Sequence, residues 1–167
     1  MFFIKFIKYL FSFFQGIYIF EAQKNNKIIK YKNFNLKFFK SKKHINNLLI
    51  LEYLKENNKI NRFKKNYYLL VLFYKKNFVC CGWMHETDNW HISEINTDIK
   101  TNNLIVLFDF FTVPKFRNKG FYKKILILIR NKRTKKSFLI YCLKTNIRSK
   151  KGILNAGFNL KKEIKKI

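Results

Sequence analysis

A chain of 167 residues is long enough to bury one full core and too short for two. Its 48% hydrophobic content and single proline exclude wholesale disorder. Lys and Arg number 36 against 9 acids, a net charge of +27 that attracts any polyanion, yet only Arg62, Arg117, Arg130, Arg133 and Arg148 carry the guanidinium fork favoured by dedicated nucleic-acid readers.

The basicity therefore fits a solvated lysine-rich face, a coding bias towards Lys, Asn, Ile and Phe, or a polyanion site. Cys80, Cys81 and Cys142 are odd in number and form no CxxC pair, which points to free thiols in a reducing cytosol and offers no metal spacing.

From Phe2 to Phe20 the chain is almost wholly apolar, with Lys5 and Lys8 its only charges. The run from Tyr9 to Phe20 is too short to span a bilayer and is interrupted at Gln15-Gly16. Residues 1–25 are read as a packed first element, as a basic helix lying through residues 1–20 on an anionic membrane surface, or as a true anchor. Residues 26–167 are read as a single domain, cytoplasmic or peripheral to the inner face of the membrane.

Lys27 to Lys40 alternates loosely, as one strand or two, and His44 to Lys65 carries helical spacing at least to Glu56. Tyr67–Tyr74 and Phe78–His85 read as a hairpin around Lys75-Lys76-Asn77, although that turn lacks the Asn-Gly signature. Residues 83–109 then gather Trp83, Trp90, His85, His91 and five of the nine acids, either as a polar loop with strand ends or as an acceptor pocket. Within it His91 to Ile99 alternates as a strand carrying Glu94.

Leu104 to Val113 is an apolar run of the kind buried on both faces, and it stops at Pro114. A basic loop follows to Gly120, and Tyr122, Ile125, Leu126 and Ile129 mark one face of a helix ending near Lys132. Ser137–Leu143 is a further buried strand, completing a βαβ unit with parallel strands. Ile147 to Ala156 reads as a helix with Gly157 after its cap. The loop at the start of the first helix suits an anion, since unpaired N–H groups and the helix dipole converge there, Gly120 permits φ > 0, and Arg117 and Lys119 add charge.

Val113-Pro114-Lys115-Phe116-Arg117-Asn118-Lys119-Gly120-Phe121-Tyr122 resembles the acetyl-CoA signature of the GNAT acetyltransferase superfamily. Arg117 and Gly120 match it, Asn118 replaces a frequent glycine, and Tyr122 replaces a small residue. Asn146, Ser149, Gly157 and Phe158 resemble the C-terminal stretch of the same superfamily, and the resemblance covers about residues 65–165. It implies an α/β (α+β) fold: a mixed six- or seven-stranded sheet flanked by helices, its central parallel strands splayed apart. It further implies transfer of an acetyl group from acetyl-CoA, with no metal, to the amine of a small or sugar-like acceptor. Backbone around Phe111 and Val113 would hold the pantetheine arm, the loop Arg117, Asn118, Lys119, Gly120, Phe121 and Tyr122 the pyrophosphate, and Asn146 with Ser149 the pantetheine.

An alkyl amine with a pKa of about 10.4 must lose a proton to react, and Glu94 and Asp109 are the candidate bases. Ile153 stands where many members of the superfamily have a tyrosine acid, and Ser149 or water is the substitute. The alternative reading is a non-catalytic, strongly basic module of the same fold that binds nucleic acid nonspecifically or an anionic membrane.

Overall fold

The structure, a computed structural model, describes residues 16–23, 29, 31–132 and 136–165. Seven strands form one mixed sheet: β1 (Gly16–Ala22), β2 (Phe34–Phe39), β3 (Tyr68–Tyr74), β4 (Asn77–Ile92), β5 (Thr97–Thr112), β6 (Phe138–Leu143) and β7 (Asn159–Lys165). Their order across the sheet is β2-β3-β4-β5-β6-β1-β7. Among the described residues three helices cover it: α1 (Leu48–Glu56), α2 (Phe121–Lys132) and α3 (Ile147–Asn155). This is the α+β arrangement, with a mixed sheet flanked by helices, that the sequence leads one to expect.

Residues 16–20 of the apolar N-terminal run are strand, buried between β6 and β7 in the register Ile17↔Leu143 and Ile17↔Ile164. Residues 16–22 thus belong to the same sheet as the strands that follow them in the chain. Residues 1–15, on which the membrane-surface reading rests, lie outside the described residues. Among the described residues no helix is long and apolar enough to cross a membrane.

Of the segment from His44 to Lys65, read as helix at least to Glu56, residues Leu48–Glu56 are regular α-helix. Asn47 caps α1 by accepting a hydrogen bond from the Ile50 N–H at 3.2 Å, and Ile50, Tyr53 and Leu54 form its buried face. It stops at Asn57 and Asn58, the latter at φ +50°, because asparagine tolerates the left-handed conformation that ends a helix. The chain resumes as a 3-10 turn, Ile60–Lys65.

The sheet has a core on each face. Ile105, Leu107, Ile140 and Cys142 face α2 and α3, while Val106, Phe108 and Leu139 face the α1 side. On the first face α3 ends in two staggered bonds, Gly157 N–H to the Leu154 carbonyl (2.9 Å) and Phe158 N–H to the Ile153 carbonyl (3.4 Å), with Gly157 at φ +81°. Arg130 of α2 donates from Nη1 to the carbonyls of Ala156 (2.7 Å) and Gly157 (3.0 Å), satisfying the exposed end of that helix. Phe158 is then driven into the core, a burial that contributes about 1.5–3 kcal/mol.

Only three residue pairs, from Ile105↔Phe138 to Leu107↔Ile140, hold β5 and β6 together as parallel neighbours. Beyond Leu107 both strands continue without pairing to each other, and they open a cleft. β5 also changes course there: between its pairs Trp83↔Phe108 and Cys81↔Phe111 it carries an extra residue, and Asp109 takes φ +49°.

Candidate functional site

One groove of about 1590 Å³ runs through this cleft and over both ends of the splayed strands. Drug-sized pockets hold about 300–1,000 Å³, so the space suits an extended ligand together with a second molecule.

One half of the groove is built by the β5–α2 connection. Pro114 starts a single 3-10 turn, and Asn118 (φ +61°) and Gly120 (φ +73°) reverse the chain into α2. The Gly120 carbonyl accepts the first helical hydrogen bond from the Lys124 N–H at 3.1 Å. The N–H groups of Phe121, Tyr122 and Lys123 consequently open the helix without intrahelical partners, at its positive dipole end. Arg117, Lys123, Arg148 and Lys151 line the same half. Arg117 is anchored through Nε on the Thr112 carbonyl (3.2 Å), at the end of β5.

Asn146 caps α3, its Oδ1 accepting from the Ser149 N–H at 2.9 Å. Ser149 Oγ lies 3.1 Å from the Tyr122 hydroxyl, so the first turns of α2 and α3 meet at the groove. The Tyr122 ring fits because Gly152 leaves room: a Cβ there would stand 2.6 Å from Tyr122 Cδ1. Burial raises the Tyr122 phenol well above its ordinary pKa and the Cys142 thiol to about 11, so both are protonated at neutral pH. Ile153 is fully buried in the first core.

The other half is walled by the long β4–β5 hairpin. The segment His91–Ile99, expected as a strand, instead bends through a turn at residues 93–96, which places Glu94 at the exposed tip beside Ser93 (3.2 Å from Ser93 Oγ). Below it Trp90 packs on Phe108 (4.6 Å between ring centroids), and Tyr67 sits against His85 (4.7 Å) and Phe108 (5.2 Å). Burial holds His85 below its usual pKa, against the opposing effects of a hydrogen bond donated by its ring to the Asn66 backbone carbonyl and the charge of Glu86. It is therefore a neutral imidazole at pH 7. Tyr141, from β6, is pushed to about 12 by burial; Trp90 and Arg62 lower it, while Glu94 and Asp109 raise it.

Asp109 sits on the floor between these walls. Lys59 Nζ is 2.7 Å from its Oδ2, and Arg62 binds the same oxygen. Burial alone would raise the carboxyl, but hydrogen bonds and charge from Lys59 and Arg62 outweigh it and hold the pKa below the ordinary range. A carboxylate so stabilised is a poor proton acceptor, which weighs against Asp109 as the base and towards a charge-anchoring part.

Of the residues expected from sequence, Asp109, Phe111, Arg117, Asn118, Gly120, Phe121, Tyr122, Asn146 and Ser149 line the one groove, as does Glu94. Val113 and Lys119 do not. The Val113 N–H is committed to the Val79 carbonyl (3.0 Å), and its carbonyl already accepts one bond from the Phe116 N–H (2.8 Å). His85 belongs to the cluster offered as an acceptor pocket, whereas Lys59, Arg62 and Tyr141 were missed, since they come from elements far from that cluster in sequence. The one available signal was Arg62 itself, a rare arginine in a lysine-rich chain.

No protein-family model matches the sequence, and no curated protein matches it. Solved structures do resemble the fold. An acetyltransferase of the GNAT family from Colwellia psychrerythraea superposes at TM-score 0.59 with 12% identity, over 89% of this chain and 53% of that one. A conserved protein of unknown function from Staphylococcus epidermidis gives 0.59 and 14%, over 91% and 61%. A protein from Novosphingobium aromaticivorans described by the same family name gives 0.59 and 9%, over 90% and 61%. The chain thus spans between about half and three-fifths of the structures it matches. At such identities the likeness is one of fold, and that fold is GNAT-like.

Proposed function

We propose that the protein is an acyltransferase that moves an acetyl group from acetyl-CoA to an amine. The observation that carries the reading is the splay of β5 from β6 after three pairs, which joins a basic, helix-capped half-groove to an aromatic one that holds charges of both signs. The bound thioester would supply the activated acyl group.

The residues fit such a co-substrate. Positive φ at Asn118 and Gly120 and the unpaired N–H groups of Phe121 to Lys123 make a concave donor set suited to a diphosphate. Arg117, Lys123, Arg148 and Lys151 supply countercharge. Beyond Leu107 the edge of β5 facing the cleft has lost its strand partner, which suits an extended arm held as an added strand near Phe111, with Asn146 and Ser149 opposite.

Glu94 is the group proposed to take the amine proton, being a groove-lining carboxylate free of ion pairs among the described residues. Ser149 Oγ, steadied by Tyr122, is the hydroxyl available to donate beside the buried Ile153.

The test is binding followed by turnover. Acetyl-CoA at about 100 times its Kd should stabilise the fold by ~2.7 kcal/mol in a thermal melt. Gly120→Val should lose that stabilisation because a β-branched residue is strained at φ +73°, whereas Gly120→Asn, which tolerates this region, should keep part of it. Absence of any shift with millimolar acetyl-CoA overturns the reading. Salt-sensitive nucleic-acid or vesicle binding that persists without it would favour the basic binding module instead.

A further inference from the structure

Lys59 and Arg62 share a single carboxylate, Asp109, with side-chain exposures of 14%, 29% and 34%. A structural ion pair in so sheltered a place balances its charges, because each unpaired buried ion loses hydration. Here two cations face one anion, which leaves about one positive charge in surplus at the groove floor. Glu94 does not offset it: that carboxylate accepts from Ser93 and pairs with neither cation.

The surplus is also held in one geometry. Lys59 is fixed by the Tyr53 hydroxyl (2.7 Å) and lies 4.8 Å above the Tyr53 ring. The Arg62 guanidinium lies over Trp83 (5.3 Å) and Phe108 (5.6 Å). Among the described residues only its Nη1 donates a hydrogen bond, to Asp109. A planar fork stacked on aromatic rings, with one nitrogen anchored and the rest unused, is a receptor for a carboxylate or phosphate. It lies in the aromatic half of the groove, with Trp90, Tyr67 and Tyr141 for walls, and away from the loop that would hold a diphosphate.

We propose that Arg62 receives an anionic group on the acceptor, so that the substrate is an amine that also bears a carboxylate or phosphate. This rests on the acyltransferase reading of the groove and narrows its acceptor class.

Matched amines test it: tyramine against tyrosine for a carboxylate, glucosamine against glucosamine 6-phosphate for a phosphate. Two readouts are taken on the full chain, release of free CoA from acetyl-CoA and equilibrium binding by tryptophan emission, to which Trp83 under Arg62 responds. The anionic member of at least one pair should show a kcat/KM and an affinity at least tenfold higher, and the pair that does so identifies the group. Arg62→Gln should bring that ratio near one, chiefly through KM, and Arg62→Lys should restore part of it. Acetyl-CoA stabilisation retained in Arg62→Gln verifies that the variant is folded. Equal use of both members of both pairs, or an equal loss for both in Arg62→Gln, overturns the proposal while leaving the acyltransferase reading intact. A tenfold binding preference lost in Arg62→Gln, with no CoA release for any amine, upholds the anion site and removes that reading.

Discussion

Replacing Gly152 with alanine sets two effects of opposite sign against each other. In a helix interior alanine is favoured over glycine by about 1 kcal/mol. At this position, however, the added Cβ would stand 2.6 Å from Tyr122 Cδ1 and 3.0 Å from Cε1. The ring cannot swing aside freely, because its hydroxyl is bonded to Ser149 and its edge meets Phe110 at 5.3 Å between centroids. Overpacking of this kind costs about 1–3 kcal/mol, so the net effect is a loss of roughly 1 kcal/mol. In a Tyr122→Ala background the obstacle is gone and the same substitution should stabilise by about 1 kcal/mol, a coupling of ~2 kcal/mol. Urea unfolding of the four proteins measures this, with the midpoint shifting at constant m-value. If alanine moves the midpoint in the same direction in both backgrounds, the proposed ring–glycine fit is wrong.

Asp109 gives a pH signature. Its folded pKa lies below the unfolded value near 3.9, so its stabilisation is complete above that value and is lost as pH falls through the lower folded value. Asp109→Asn should therefore be less stable than the parent at pH 7, with the difference shrinking as pH drops below about 4; a gap that persists at pH 2 refutes the charge-anchor role. The β3–β4 turn offers a gain: Lys75 and Lys76 occupy φ +46° and +66°, where ordinary side chains are strained and Asn-Gly is preferred. Changing the pair to Asn-Gly should add about 1 kcal/mol, seen as a Tm rise of roughly 2–4 °C, and a fall in Tm would contradict the left-handed turn.

What the sequence disclosed depended on how local each feature is. The β5–α2–β6–α3 run was legible because each element carries its own periodicity and punctuation, from Pro114 at the strand end to Gly157 after the last helix. The half-groove at Gly120 followed, since one short loop supplies it. β1 was not legible: its apolar residues are buried by partners from the far end of the chain, and the same pattern suits a helix or an anchor. The helix read at least to Glu56 ends there, at Asn57-Asn58, where capping tendency overrides the apolar spacing that continues towards residue 65. The hairpin tip at 93–96 escaped notice because alternation persists through a turn. The charged floor at Asp109 needed two segments far apart in sequence brought together, which no spacing rule announces.

The position of β1 also bears on how the protein is made. β6 and β7 touch it and not each other, so an early segment must wait, unpaired and apolar, until residues 138–165 have been synthesised. Pairings this distant in sequence fold slowly and expose strand edges meanwhile. The groove wall that β6 supplies through Tyr141 is therefore completed late, so an insertion that delays the pairing of β1 with β6 should lower soluble yield far more than one placed in the β4–β5 hairpin.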